Sequence, residues 1–274
     1  MNKNITFIGP GEMAEAMISG LLRNDLAEAN HIVASGPNVP RGHHLAEEYS
    51  INTMTDNQAS VKDADVVVLS IKPQHMKKVL NELKGKIRKE AVVLSIVAGA
   101  TIEKMSDGLN HELIVRSMPN TPAKIGEGIT VWTASKEVSD EQKEIAQKIL
   151  SALGHEVYMK DENYLDMATA LSGTGPAYVF LFMEALVDAG VHLGFPRRIA
   201  EQLVKETVRG SVDYFDSSDE EIHLASYRDQ VTSPGGTTAE ALYYLEKMGF
   251  RTALSRAVWA AYNRSIELGK QNNK

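Results

Sequence analysis

Apolar positions follow two rhythms along this chain, and the change between them falls near residue 160. Before it, short β-branched runs recur: "NITFIG" (4–9), "HIVAS" (31–35), "DVVVLSI" (65–71), "AVVLSIV" (91–97) and "ELIVRS" (112–117). Several are apolar throughout rather than alternating, as in strands of a parallel sheet covered on both faces. Helix-length stretches such as "GEMAEAMISGLLRN" (11–24) and "PQHMKKVLNELKGK" (73–86) separate them. Strand–helix alternation of this kind predicts a doubly wound, Rossmann-like α/β domain over residues 1–160. Two later runs, "GITVWTA" (128–134) and "HEVYM" (155–159), extend the sheet around a helix at 139–152.

Beyond residue 160 the period is helical, with runs at roughly 161–170, 176–192, 197–214, 237–247 and 251–269. Residues 161–274 are therefore expected to form an all-helical C-terminal domain of five or six helices. Segment 177–189 is apolar nearly all round, so it must be buried on more than one side. It is either the central helix of its domain or part of a core shared by two copies.

Composition narrows the function. A chain of 274 residues exceeds the usual span of one core, in keeping with two domains. Its 36 acidic and 29 basic side chains give a net charge of −7, and the basic residues are scattered. That argues against nucleic acid or an anionic membrane as partner. With no Cys, disulfides and cysteine-ligated zinc are excluded, and a reducing cytosol is compatible. The N-terminus runs straight into a strand pattern, without a signal peptide. The longest apolar stretch, 177–190, carries Glu184 and Asp188 and is too short to cross a bilayer. The expectation is a soluble, cytoplasmic protein acting on a small molecule.

"ITFIGPGEMAEAM" sets Gly9, Pro10, Gly11, Glu12, Met13 and Ala14 between the first strand and the first helix. This is the G-x-G-x-x-A form of the dinucleotide fingerprint. Gly9 allows the tight turn, Gly11 lets backbone approach a pyrophosphate, and Ala14 keeps helix and strand close. The helix start adds N–H groups and a positive dipole end. A purely structural turn is the bland alternative, but the position within a βαβ pattern favours a cofactor. At the end of the second strand stands Ser35, with no acid before Glu47 and with Arg41 nearby. Without a carboxylate to bind a ribose 2′-hydroxyl, Ser35 and Arg41 favour a 2′-phosphate, hence NADPH, with NADH less favoured. Other strand ends supply further contacts: Ile71, Lys72 and Pro73 for ribose or phosphates, Ala98, Gly99 and Ala100 as a shelf for the nicotinamide, and Asn120 and Thr121 in a stiff turn.

Two glycine-rich helix starts mark the second half. In "LSGTGPAYVF" (171–180), Pro176 suits a first helical turn. In "SPGGTTAEAL" (233–242), Thr237 and Glu240 fit a capping box, yet a cap alone does not call for Pro234, Gly235 and Gly236. The stretch is placed to expose the backbone N–H groups of Gly235 and Gly236 to an anion, with Pro234 stiffening the turn.

"ALSGTGPAYVF" and "RDQVTSPGGTTAEALYYLE", with "FIGPGEMAEAMISGLL", "VVLSIKPQ" and "RSMPNTP", closely resemble pyrroline-5-carboxylate reductases over essentially the whole chain. Thr174 stands where that family commonly has Ser, and "DEEIHLASYRDQ" (219–230) lacks the common His-Pro pair. The resemblance implies that Ser233, Gly235, Gly236 and Thr237 hold a substrate carboxylate, with Thr238 as catalytic group directed at the ring nitrogen. It also brings Glu221 and Gln230 near the ligands and Asn57 near the adenosine ribose. It implies a homodimer with interlocked helical domains, active sites drawing on two chains, and a decamer of dimers as a further assembly. The implied reaction, the last step of proline biosynthesis, is hydride transfer from NAD(P)H to a cyclic imine, which requires no metal. Arg116, Arg197 and Arg228 are unsupported alternatives for clamping the carboxylate. A β-hydroxyacid dehydrogenase is the nearest rival, but such enzymes carry a catalytic Lys on the helix corresponding to 176–192, and none is present. A non-catalytic dinucleotide sensor is the other, and the intact glycines and Thr238 speak against it.

Overall fold

The computed structural model describes residues 2–218 and 222–271. Eight strands form one sheet: β1 (Ile5–Ile8), β2 (Ile32–Ser35), β3 (Asn52–Met54), β4 (Val66–Leu69), β5 (Val92–Ser95), β6 (Ile114–Met118), β7 (Gly128–Ala134) and β8 (Gly154–Tyr158). Their order is β3-β2-β1-β4-β5-β6-β7-β8. The first six are parallel, β7 runs antiparallel to β6, and β8 is parallel to β7. Pairing of Ile8 with both Ser35 and Leu69, and of Leu69 with Ser95, ends four strands level. The loops that follow them therefore line one sheet edge, where open α/β sheets bind ligands.

Six helices follow in this part: α1 (Glu12–Arg23), α2 (Val39–Tyr49), α3 (Asn57–Ser60), α4 (Met76–Leu83), α5 (Ile102–Leu109) and α6 (Asp140–Ser151). Alternate strand residues face opposite cores, which is why these strands read as unbroken apolar runs. Ile5, Phe7, Val66 and Val68 join Met17, Ile18 and Leu21 of α1 and Ile149 of α6. On the other side, Ile8, Val67 and Leu69 pack with Leu80 and Leu83 of α4 and Met105 of α5. Burial of each such side chain contributes about 1.5–3 kcal/mol. The sequence pattern misses β3, a three-residue edge strand that is half-exposed and has no apolar run.

After β8 the described structure is helical: α7 (Tyr164–Ala168), α8 (Gly175–His192), α9 (Arg197–Asp216), α10 (Leu224–Gln230), α11 (Thr237–Lys247) and α12 (Phe250–Gln271). α10 is seven residues long and too short to show a period. A π-helical turn, Thr169–Gly173, joins α7 to α8. The expected start at 171–180 is therefore a bulge inside a helical run, Tyr164–His192, of 29 residues. Pro176 cannot donate to Ser172, and the wider turn accommodates that missing bond. The Thr174 amide and hydroxyl both donate to the Thr169 carbonyl, at 2.9 and 2.8 Å.

This run corrects the length estimate made for 177–190 alone, because it is long and apolar enough, by length and composition, to span a bilayer. Only Val187 of α8 is buried within the chain, and Phe180 and Leu181 are about two-thirds exposed. A central helix of a single-chain domain would not look like this. Two compact units are present. One runs to Pro176 and is completed by the chain from Ala260, and the other is Ala177–Trp259.

Candidate functional site

The first glycine turn has the geometry of a dinucleotide cradle. Gly9 has φ +94°, and a Cβ there would lie 2.7 Å from Ile71 Cγ2 and 2.9 Å from the Ser70 carbonyl. Its amide donates to the Ser35 carbonyl at 2.9 Å, and Ser70 Oγ donates to the Gly9 carbonyl at 2.9 Å. The turn is thus pinned to β2 and to the end of β4. Gly11, the residue before α1, has open space where a Cβ would stand, and no side chain caps the helix. The first amides of α1 have no intrahelical acceptor. Backbone donors, a positive dipole end and open space fit the pyrophosphate of NADP.

An ionic collar surrounds this turn. Arg41 Nε donates to the Pro10 carbonyl at 2.9 Å, and its terminal nitrogen is paired with Glu15. Glu12 is bound by Lys124 at 2.7 Å. Lys124 lowers the pKa of the Glu12 carboxyl through its hydrogen bond and charge. Burial pushes the Glu15 carboxyl up, but Arg41, Tyr49 and His44 outweigh it and hold the group below the ordinary value. Burial, then the hydrogen bond and charge of Glu15, raise the Tyr49 phenol. Residues 26 and 112 apart in sequence make these contacts, and no local pattern announces them.

Several predicted contacts sit deeper than expected. Ser35 is fully buried and donates to Asn57 Oδ1 at 2.8 Å, while Asn57 Nδ2 donates to Glu82 at 3.2 Å. Both side chains are thus occupied by protein partners, while the turn is held by the Ser35 backbone carbonyl. Asn120 is buried, and its carboxamide oxygen accepts the Ile129 amide at 3.0 Å. Lys72 precedes a 3₁₀ turn opened by Pro73. Beside the end of β2, a cleft of about 380 Å³ is lined by Gly36, Asn38, His43, Thr53 and Asp56.

Arg116, weighed as a carboxylate clamp, is buried and engaged by two carboxylates, Glu162 at 2.8 Å and Asp166 at 3.2 Å. Arg197 pairs with Asp188 and Arg228 with Asp229.

The second glycine turn opens α11. Gly235 has φ +66°, and the Gly236 amide donates to the Ser233 carbonyl at 3.0 Å. Gly236, not Thr237, is the capping residue, and no side-chain cap is made. The capping box expected from Thr237 and Glu240 is therefore absent, because the helix begins one residue earlier than that box needs. Thr237 and Thr238 occupy the first two helical positions, whose amides are free of intrahelical bonds. Glu221 lies outside the described residues.

A family profile described as "Pyrroline-5-carboxylate reductase dimerisation" matches residues 162–268, and one described as "NADP oxidoreductase coenzyme F420-dependent" matches residues 4–99. A pyrroline-5-carboxylate reductase of Synechocystis is 41% identical over 271 residues, covering 99% of this chain and all of its own. The chain belongs to the pyrroline-5-carboxylate reductase family. The crystal structure of the Plasmodium falciparum pyrroline carboxylate reductase with NADP bound superposes at a TM-score of 0.89. It is 33% identical and covers 98% of each chain. A Coxiella burnetii pyrroline-5-carboxylate reductase structure gives the same TM-score at 36% identity, covering 98% of this chain and 99% of its own.

Proposed function

We infer that the chain reduces 1-pyrroline-5-carboxylate to L-proline, with NADPH as the reductant. NADPH, when bound, supplies a hydride to the ring carbon of the carbon–nitrogen double bond. With the imine nitrogen already protonated, that bond's π pair becomes the nitrogen lone pair and the ring is left as the secondary amine. Metal and covalent nucleophile are not needed, because a protonated imine already accepts hydride.

Residues 9–14, with the backbone around 71–73, hold the pyrophosphate and ribose, and residues 98–100 support the nicotinamide. Arg41 reads the 2′-phosphate: its guanidinium has five N–H donors, and the collar leaves part of the fork free. Ser35, Asn57 and Asn120 contribute by fixing the loops that carry these contacts. The uncapped start of α11 is the observation that carries the substrate assignment. Its amides, with Ser233, Gly235, Gly236 and Thr237, bind the carboxylate. Thr238 directs its hydroxyl at the imine nitrogen and holds or passes its proton. Glu221 completes the substrate site in this reading.

We assign cofactor binding to residues 1–160, and substrate binding and dimerisation to residues 161–274. The dimer covers the exposed apolar face of α8, and a decamer of dimers is the proposed full assembly. The proposed compartment is the cytoplasm, with neither membrane nor nucleic acid as partner. NADPH oxidation on adding pyrroline-5-carboxylate tests the activity, with a panel of hydroxyacids as control. Turnover of a hydroxyacid but not of the imine would overturn it.

A further inference from the structure

The loop between β5 and α5 is held by residues remote in sequence. Glu162 Oε1 accepts the Ile102 amide at 2.8 Å, just beyond the 98–100 turn. The same oxygen accepts Arg116 Nη1 at 2.8 Å, and Arg116 Nη2 donates to Asp166 Oδ1 at 3.2 Å. Ser265 of α12 donates to that Asp166 oxygen at 2.7 Å. One helical turn later, Gly269 meets the loop backbone directly. A Cβ on Gly99 would stand 2.9 Å from the Gly269 nitrogen, and one on Gly269 would stand 3.1 Å from the Gly99 carbonyl oxygen. Every one of these residues belongs to the sheet-containing unit.

We propose that Glu162 and Gly269 are positioning residues that fix the backbone of the 98–100 turn against which the nicotinamide ring rests. The proposal builds on the assignment of that turn as the nicotinamide shelf. Ala98, Gly99 and Ala100 have almost no side chain with which to anchor themselves, and Gly99 has φ +70°, so the backbone there must be held from outside. Glu162 does this through the Ile102 amide, and α12 does it by backbone packing on Gly99. Arg116, 3% exposed between two carboxylates, ties the two holds together. The guanidinium is buried while its carboxylates are partly exposed, so removing either partner leaves a buried charge less compensated. Hydride transfer is steeply sensitive to placement, and misplacement by about 1 Å can cost about a hundredfold in rate.

The test compares Glu162→Ala, Glu162→Gln, Gly269→Val, Ser265→Ala and Ala98→Leu in the full-length enzyme. Glu162→Ala and Gly269→Val are expected to lower kcat about tenfold, with KM for pyrroline-5-carboxylate within about twofold of wild type. Without cofactor, amide hydrogen exchange at Gly99 and Ile102 should accelerate in both. Glu162→Gln, which keeps an oxygen for the Ile102 amide, should restore most of both properties. Wild-type kcat in Glu162→Ala and Gly269→Val, even with a lowered Tm, would overturn the proposal. If Glu162→Ala does not fold, exchange at Ile102 and kcat in Ser265→Ala decide in the same way. Ala98→Leu separates the two layers of the argument. Unchanged NADPH affinity and kcat in that variant remove the shelf itself and the latch with it. Impairment there, with wild-type latch variants, removes only the latch.

Discussion

Thr238 occupies the second position of a helix whose first amides are uncapped, where a hydroxyl and an anion-binding backbone can serve one small molecule. Thr238→Ala should lower kcat by roughly ten- to a thousandfold, in or below the range for positioned proton-transfer groups. NADPH affinity, measured by fluorescence titration, should change little, because the proposed cofactor contacts lie in residues 1–160. Wild-type turnover would remove the assigned role. If Arg41 reads the 2′-phosphate as proposed, kcat/KM should favour NADPH over NADH, and Arg41→Ala should erase most of that preference. Equal values in the wild type would mean that Arg41 does not read the 2′-phosphate. Glu15, which orients Arg41, makes a further prediction about pH. Its carboxyl lies below the ordinary value of 4.5, so its stabilising effect is complete above that value and is lost as pH falls through the lower, folded one. Thermal melts should show wild type losing stability in acid more steeply than Glu15→Gln. Parallel pH profiles would refute the tether.

At the scale of elements, the two glycine turns differ from an ordinary helix start in a way that can be measured. α6 has a complete capping box, with Ser139 and Gln142 exchanging bonds with each other's backbone. Ser139→Ala should cost about 1 kcal/mol of stability and leave kcat unaltered. Thr237→Ala, by contrast, removes no cap and should leave Tm within about a degree of wild type, since surface changes of this kind lie within about ±0.5 kcal/mol. The strands around β1 were legible because each side of the sheet is covered and each run is apolar. β3 was not, since a half-exposed edge strand needs no such run. The glycine turn between β1 and α1 was legible too, as its glycines and helix lie within a few residues. The S/T-x-x-E pattern at 237–240 misled by one residue, because it specifies a cap without specifying where the preceding turn ends. Ser35 and Asn57 were assigned separately, to a 2′-phosphate and to the adenosine ribose, and sequence does not reveal that both are buried and bind each other.

For the whole molecule, the exposed apolar face of α8 is the feature that a single chain leaves unresolved. Helices this apolar are covered by lipid or by protein, and the dimerisation profile over residues 162–268 favours protein. Sedimentation in detergent-free buffer should give a dimer or a multiple of it. Leu181→Glu should dissociate or aggregate the protein, with loss of activity. A monodisperse, active monomer would refute the shared core. Long-range polar contacts were the least legible feature of the chain. Arg116 and Glu162 are 46 residues apart, and Asp166 and Ser265 are 99 apart. Only folding brings them together.

The return of α12 to the sheet-containing unit has a consequence for synthesis. That unit is interrupted by Ala177–Trp259, and Ser265 and Gly269 leave the ribosome only after the whole insert has done so. The sheet can collapse early, but its 98–100 turn gains its last supports late in translation. A nascent chain arrested before residue 260 should therefore hold a sheet that protects its strands while its 97–101 loop stays open to proteases.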